Sequence, residues 1–114
     1  MRIKNKAKNN FIAQNVQKAD TYRTRFIGLL NRKSISSEEA LIITRCNSIH
    51  MFFMKFAIDV IFVSKSDRVV GLVKNIPPFG LSPVFFKASY CIECSVGTID
   101  LKDVEIGDEI EIVN

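Results

Sequence analysis

Residues 58–63 read IDVIFV, and the way this stretch is taken decides the fold. In an extended strand, side chains alternate between faces, so Ile58, Val60 and Phe62 share one side and Asp59, Ile61 and Val63 the other. Apolar residues on both sides mark a central strand covered on both faces, not the half-solvated strand of a sheet edge. Upstream, CNSIHMFFMKFA (46–57) continues in the same apolar idiom and holds the chain's single histidine, His50. The whole run therefore reads as two buried strands, SIHMFFM and IDVIFVS, joined by a short bend near KFA.

Further strands follow on either side. ALIITRC (40–46) is rich in β-branched residues without a helical period. KSD (65–67) suits a hairpin turn into RVVGLV (68–73). NIPPFGLSP (75–83) contains all three prolines and reads as an irregular surface loop. FFKASYCIECSV (85–96) reads as a strand, GTIDLKDVEIGD (97–108) as a short helical or turn segment ending at Gly107, and EIEIV (109–113) as a last alternating strand. Toward the amino terminus, NNFIAQNVQ (9–17) is a short mixed strand. ADTYRTRFIGLLNRK (19–33) has a capping Asp20 or Thr21 and places Phe26, Leu29 and Leu30 on one helical face. SISSEE (34–39) is a loop. These elements predict a mainly β sandwich or small barrel-like fold of six to seven short strands, with one α-helix in the amino-terminal half packed on it.

With 114 residues, 47% of them hydrophobic and 25% charged, the chain has the makings of one domain with its own core. Its charge is uneven: residues 1–33 carry nine Lys or Arg and one acid, whereas residues 34–114 carry seven and eleven. Residues 1–9 are expected to form a basic flexible tail preceding a domain at residues 10–114. Such a tail could meet nucleic acid or anionic lipid, but no basic and aromatic interleaving of the kind that binds single strands is present, and a nucleic-acid partner is not expected. Lys55 and Asp59 interrupt the best apolar run, so no membrane span is expected. No apolar stretch follows the basic start as a secretory signal requires, and three cysteines are an odd count for a disulfide framework; the chain reads as cytoplasmic.

Few residues offer chemistry. Cys91 and Cys94 have the spacing of a redox or zinc pair, yet in a strand they point to opposite faces, and packed reduced thiols are expected. His50, near Cys46 and Asp59, could act as a base, but no nucleophile elbow or second histidine accompanies it. Lys55 and Asp59 are more telling, because a charge in an apolar run costs several kcal/mol unless it is compensated. They could pair with each other, with Arg25 or with Glu93, as a structural clasp or as the floor of a polar pocket. No phosphate loop, dinucleotide fingerprint or zinc-protease helix occurs.

Taken in order, RTRFIGLLNRK, IHMFFMKFAIDVIFV, DRVVGLVKNIPP and CIECSVGTIDLKDVEIGDEIEI resemble the bacterial and archaeal family called domain of unknown function 192, over residues 11–113. The resemblance implies a mainly β, sandwich-like fold with an early helix, and no established activity. It also implies that Arg25, Lys55, Asp59 and Glu93 are recurrent polar positions, while Phe53 and Phe56 stand where tryptophan and asparagine are usual. Many members of that family carry a signal peptide; this chain shows none, so an extracytoplasmic role does not carry over.

The expected function is a binding or accessory module without catalytic machinery, cofactor or metal. The alternative is an enzyme or small-ligand binder that holds an anionic small molecule with Arg25, His50, Lys55, Asp59 and Glu93. A small polar ligand or a protein is the partner to look for.

Overall fold

A computed structural model of the chain describes residues 1–19, 32–51 and 54–114. The IDVIFV stretch lies in strand β5, Ile58–Ser64, and every residue of that strand is buried. The other strands are β1 (Arg2–Asn5), β2 (Asn10–Ala13), β3 (Asn15–Ala19), β4 (Glu39–Thr44), β6 (Val69–Ile76), β7 (Ala88–Cys94) and β8 (Ile110–Val113), with one short helix, α1, at Thr98–Leu101. They form a five-stranded sheet in the order β3-β4-β7-β5-β6 and a three-stranded sheet in the order β2-β1-β8. The fold is mainly β, with eight strands among the described residues against the six to seven expected.

Two apolar clusters lie on the two faces of the larger sheet, following the alternation read in β5. Ile61, Val63, Ile42 and Ile92 face the three-stranded sheet, where they meet Ile3, Ile12 and Ile110. Val60, Phe62, Leu41 and Ile43 face the other way and are covered by Ile49, Met51, Met54 and Phe85. The second cover is an outer layer without regular strands. Residues 47–51 run antiparallel to residues 80–85, joined by Met51 N–H to Gly80 O (2.8 Å), Ser82 N–H to Ile49 O (2.9 Å) and Phe85 N–H to Asn47 O (2.8 Å), with a bridge between His50 and Leu81.

Several expectations need correction. The amino-terminal segment is no loose tail: β1 is the middle strand of the smaller sheet, paired with β2 and β8, and its Ile3 and Asn5 are fully buried. Arg2 and Lys4 occupy its other face, so alternation makes a strand out of a segment that composition presents as a tail. NNFIAQNVQ is not one strand but two, β2 and β3, which separate at Gln14 into different sheets. Of the expected SIHMFFM strand (48–54), the described residues 48–51 and 54 contain only the His50 bridge, and β7 starts at Ala88, leaving Phe85 and Phe86 in the outer layer. Of the helix expected over residues 19–33, residues 20–31 lie outside the described residues, and Ala19 is the last residue of β3. Strands β3 and β4 pair in parallel.

Turn chemistry follows the sequence where glycine or a short polar residue supplies it. Gly107 adopts φ 92° and Asp67 φ 63°. The Asp108 carboxylate accepts the Glu105 N–H at 2.9 Å, closing the turn before β8.

Candidate functional site

The expected polar cluster does not assemble as one site. Asp59 and Glu93 come from the neighbouring strands β5 and β7, but the register opposes Asp59 to Cys94 and Glu93 to Val60. Alternation therefore sends the two carboxylates to opposite faces of the larger sheet. Asp59, 1% exposed, points toward α1, where Cys94 and Ile99 also lie. Glu93, also fully buried, points toward the outer layer that contains the half-buried His50; neither Glu93 nor His50 is free of interactions. Lys55 is exposed and, among the described residues, forms no ion pair with Asp59. Arg25 lies outside the described residues, as does Phe53, while Phe56 is partly buried against the outer-face cluster.

Backbone amides compensate Asp59. One carboxylate oxygen accepts the Asn75 N–H at 2.9 Å; the other accepts the Gly97 and Ile99 N–H groups, each at 3.1 Å. Gly97 has φ 94° and offers no side-chain cap for α1, so a carboxylate from the sheet supplies the cap that the local sequence lacks. The same side chain holds Asn75 (φ 54°) at the end of β6. Asp59 is a clasp between β5, β6 and α1, and its hydrogen-bonding capacity is used within the fold.

The remaining chemical groups are inert or structural. Cys91 and Cys94 belong to the two different apolar clusters, and all three cysteines are buried and outside any disulfide. Burial, reinforced by the Asp59 charge, pushes the Cys94 thiol far above its ordinary value, away from thiolate reactivity. Burial and a 2.8 Å bond to the Asp67 carboxylate likewise raise the Tyr90 hydroxyl. Among the described residues, no three His, Cys, Asp or Glu side chains gather as metal ligands. A cleft of about 280 Å³ opens between the sheets beside Lys18, Ile42, Tyr90 and Ile112, and the hydrogen-bonded Tyr90–Asp67 pair lies on its wall.

The outer layer contributes the feature that sequence reasoning missed. Phe79, Leu81, Val84 and Phe86 are 62%, 68%, 49% and 89% exposed, all within one segment of eight residues. The segment is firmly held. Besides its backbone bonds to residues 47–51, the Ser82 hydroxyl accepts the Ile49 N–H at 2.8 Å, and Phe85 packs inward on Phe62 with ring centroids 4.5 Å apart. The turn Pro77–Gly80, closed by Gly80 N–H to Pro77 O at 2.9 Å, puts Phe79 at φ 64°, the turn position that ordinarily takes glycine or asparagine. Among the described residues, six non-glycine residues have positive φ; four are Asn or Asp, and the other two are Phe79 and Arg45, one in each strip of this layer. A side chain of either kind in that region costs roughly 1–2 kcal/mol. The available sequence signal is two aromatic residues, Phe79 and Phe86, in a proline-containing stretch, which by composition read as loop and core strand.

Two packed sheets with an irregular, solvent-facing apolar layer over one of them define a small, mainly β module. The chain belongs to the family domain of unknown function 192 (DUF192, Uncharacterized ACR), whose model matches residues 3–112. It is 42% identical over 111 residues to a UPF0127 protein of Thermococcus sibiricus, covering 94% of this chain and 71% of that one. A UPF0127 protein of Pyrococcus furiosus is 36% identical over 113 residues, covering 94% of each chain. The fold is that of a crystal structure of a protein of unknown function from Novosphingobium aromaticivorans, with TM-score 0.81 and 20% identity over 97% of this chain and 82% of that one.

Proposed function

We propose that this protein is a non-catalytic binding module that docks through its outer layer onto a partner surface both apolar and anionic. One observation carries this: four large apolar side chains are held out to solvent by a segment whose backbone is tightly fastened. Exposed apolar groups of this density mark interaction surfaces, and a fastened segment loses little conformational freedom on binding. The sign of the partner follows from the charges: residues 45–57 and 77–87 contain Arg45, His50, Lys55 and Lys87 and no acid. Three buried thiols outside any disulfide suit a reducing compartment and favour a cytoplasmic location.

The fluorescent probe anilinonaphthalene sulfonate, itself apolar and anionic, tests the surface directly. The folded protein should enhance its emission, and the Leu81→Ser/Phe86→Ser variant should lose most of that enhancement while keeping the same unfolding midpoint. Equal probe binding by the parent chain and the variant would remove the outer layer as the docking face.

A further inference from the structure

Resting on that docking face, we propose that its partner is the surface of an anionic phospholipid bilayer, entered by the Phe86 end of the outer layer. Phe86, at 89% exposure, has almost nothing packed around it and projects from the surface. A projecting apolar side chain fits the boundary between headgroups and acyl chains, where interfacial elements bury about 5–10 Å deep; a protein hot spot would more often sit in a pocket. Cations stand at its base. Lys87 follows it in sequence and is exposed. Arg45 lines a notch of about 360 Å³ with Asn47 and Ser89, and the two strips meet there through Cys46 N–H to Ser89 O at 3.3 Å. Phe86 itself lines a groove of about 330 Å³ with Val70, Val84, Phe85 and Lys87. Headgroup phosphates would lie at Arg45 and Lys87, and apolar chain segments against Phe86 and the groove.

Neither Arg45 nor Lys87 is neutralised by a carboxylate among the described residues, and Lys55 is likewise exposed without one. Each Lys or Arg near an anionic leaflet contributes about fivefold to binding, so three should give roughly a hundredfold preference for anionic over neutral vesicles. Among the described residues no helix is long and apolar enough to cross a membrane, so the contact is peripheral and reversible.

The full chain should be sedimented with vesicles of phosphatidylcholine alone and of phosphatidylcholine mixed with phosphatidylglycerol. Binding is expected to the mixed vesicles only, weakened at least tenfold by Phe86→Ser and by Arg45→Glu/Lys87→Glu. All three residues are exposed, so these variants should fold as the parent does. Because the chain has no tryptophan, Phe86→Trp introduces a single reporter; its emission should shift to the blue on mixed vesicles and be quenched by brominated acyl chains. No sedimentation with either vesicle, with the naphthalene probe still bound at the outer layer, overturns the bilayer as partner, leaves the docking face standing and points to an acidic apolar protein segment. Sedimentation that Phe86→Ser leaves intact, or a Trp that stays solvent-like on the vesicle, overturns insertion at Phe86.

Discussion

Removing the Asp59 carboxylate should unfasten three elements at once. Asp59→Ala leaves the amides of Asn75, Gly97 and Ile99 without their acceptor at a site where the side chain is 1% exposed. A hydrogen bond to a charged group is worth about 1.5–3 kcal/mol, and stranding its buried donor costs about 1–3 kcal/mol. Partial rehydration at Asn75 and Gly97, which are nearer the surface, brings the sum for three donors to roughly 3–5 kcal/mol. Asp59→Asn keeps one acceptor oxygen but turns an NH2 toward amide donors, so about half that loss is expected. Urea unfolding of the parent and both variants measures it, with the parent slope used to test for a change in the denatured state. Selective loss of hydrogen-exchange protection at Gly97 and Ile99 should accompany the drop. A loss below about 1 kcal/mol for Asp59→Ala would mean that water replaces the carboxylate at little cost, and the clasp would not be what holds α1 to the sheet.

Other sites give independent checks. Arg32 binds both oxygens of Glu39, one at 2.7 Å, and with help from Ser36 holds that carboxyl at about 2 against its ordinary 4.5. A lowered folded value adds stability that is complete above 4.5 and fades as the pH falls toward 2, so Glu39→Gln should flatten the acid limb of a stability profile across that window. A Cβ on Gly71 would lie 2.4 Å from the Phe85 ring; Gly71→Ala should cost about 1–3 kcal/mol by overpacking, and adding Phe85→Leu should recover part of it in thermal melts. With all three cysteines buried and the Cys94 thiol raised, a thiol reagent at neutral pH should label none until denaturant is added; prompt labelling of Cys94 would show that β7 opens.

The parts of the fold legible in the sequence are those in which one residue type determines one local geometry. IDVIFV declares a strand buried on both sides because each of its faces is apolar, and Gly107 declares a left-handed turn. Other features depend on partners distant in the chain. RIKN carries one apolar side chain among charges, and only pairing with β2 and β8 makes it a central strand. Asp59 is visible as an uncompensated charge, but its partners are main-chain amides at residues 75, 97 and 99, and a backbone N–H has no sequence signature. That is why Lys55, Arg25 and Glu93 were the natural candidates for it. The outer layer escaped for the opposite reason: apolar residues near a strand are assigned to the core by default, and exposure of Phe86 beside a buried Phe85 depends on the two strips pairing with each other.

The same folding event redistributes the charge that looked two-ended along the chain. Because β1 pairs with β8, the basic beginning is laid against the acidic end. Lys6 meets Glu109 at 3.1 Å, Lys8 meets Glu105 at 2.7 Å and Asp108 at 3.1 Å, and Arg2 and Lys4 lie over the Phe11 ring. Asp108 shows the outcome: burial raises its carboxyl, yet Asn5, the Glu105 amide and Lys8 together hold it below its ordinary value. The lysines that suggested a nucleic-acid tail are thus largely committed within the fold. The outer layer stands apart from this exchange, since its two strips contain no acid to receive Arg45, Lys55 or Lys87. Among the described residues that surface keeps both its cations and its apolar groups exposed on a backbone held in place by hydrogen bonds, and the docking we propose would supply their complement.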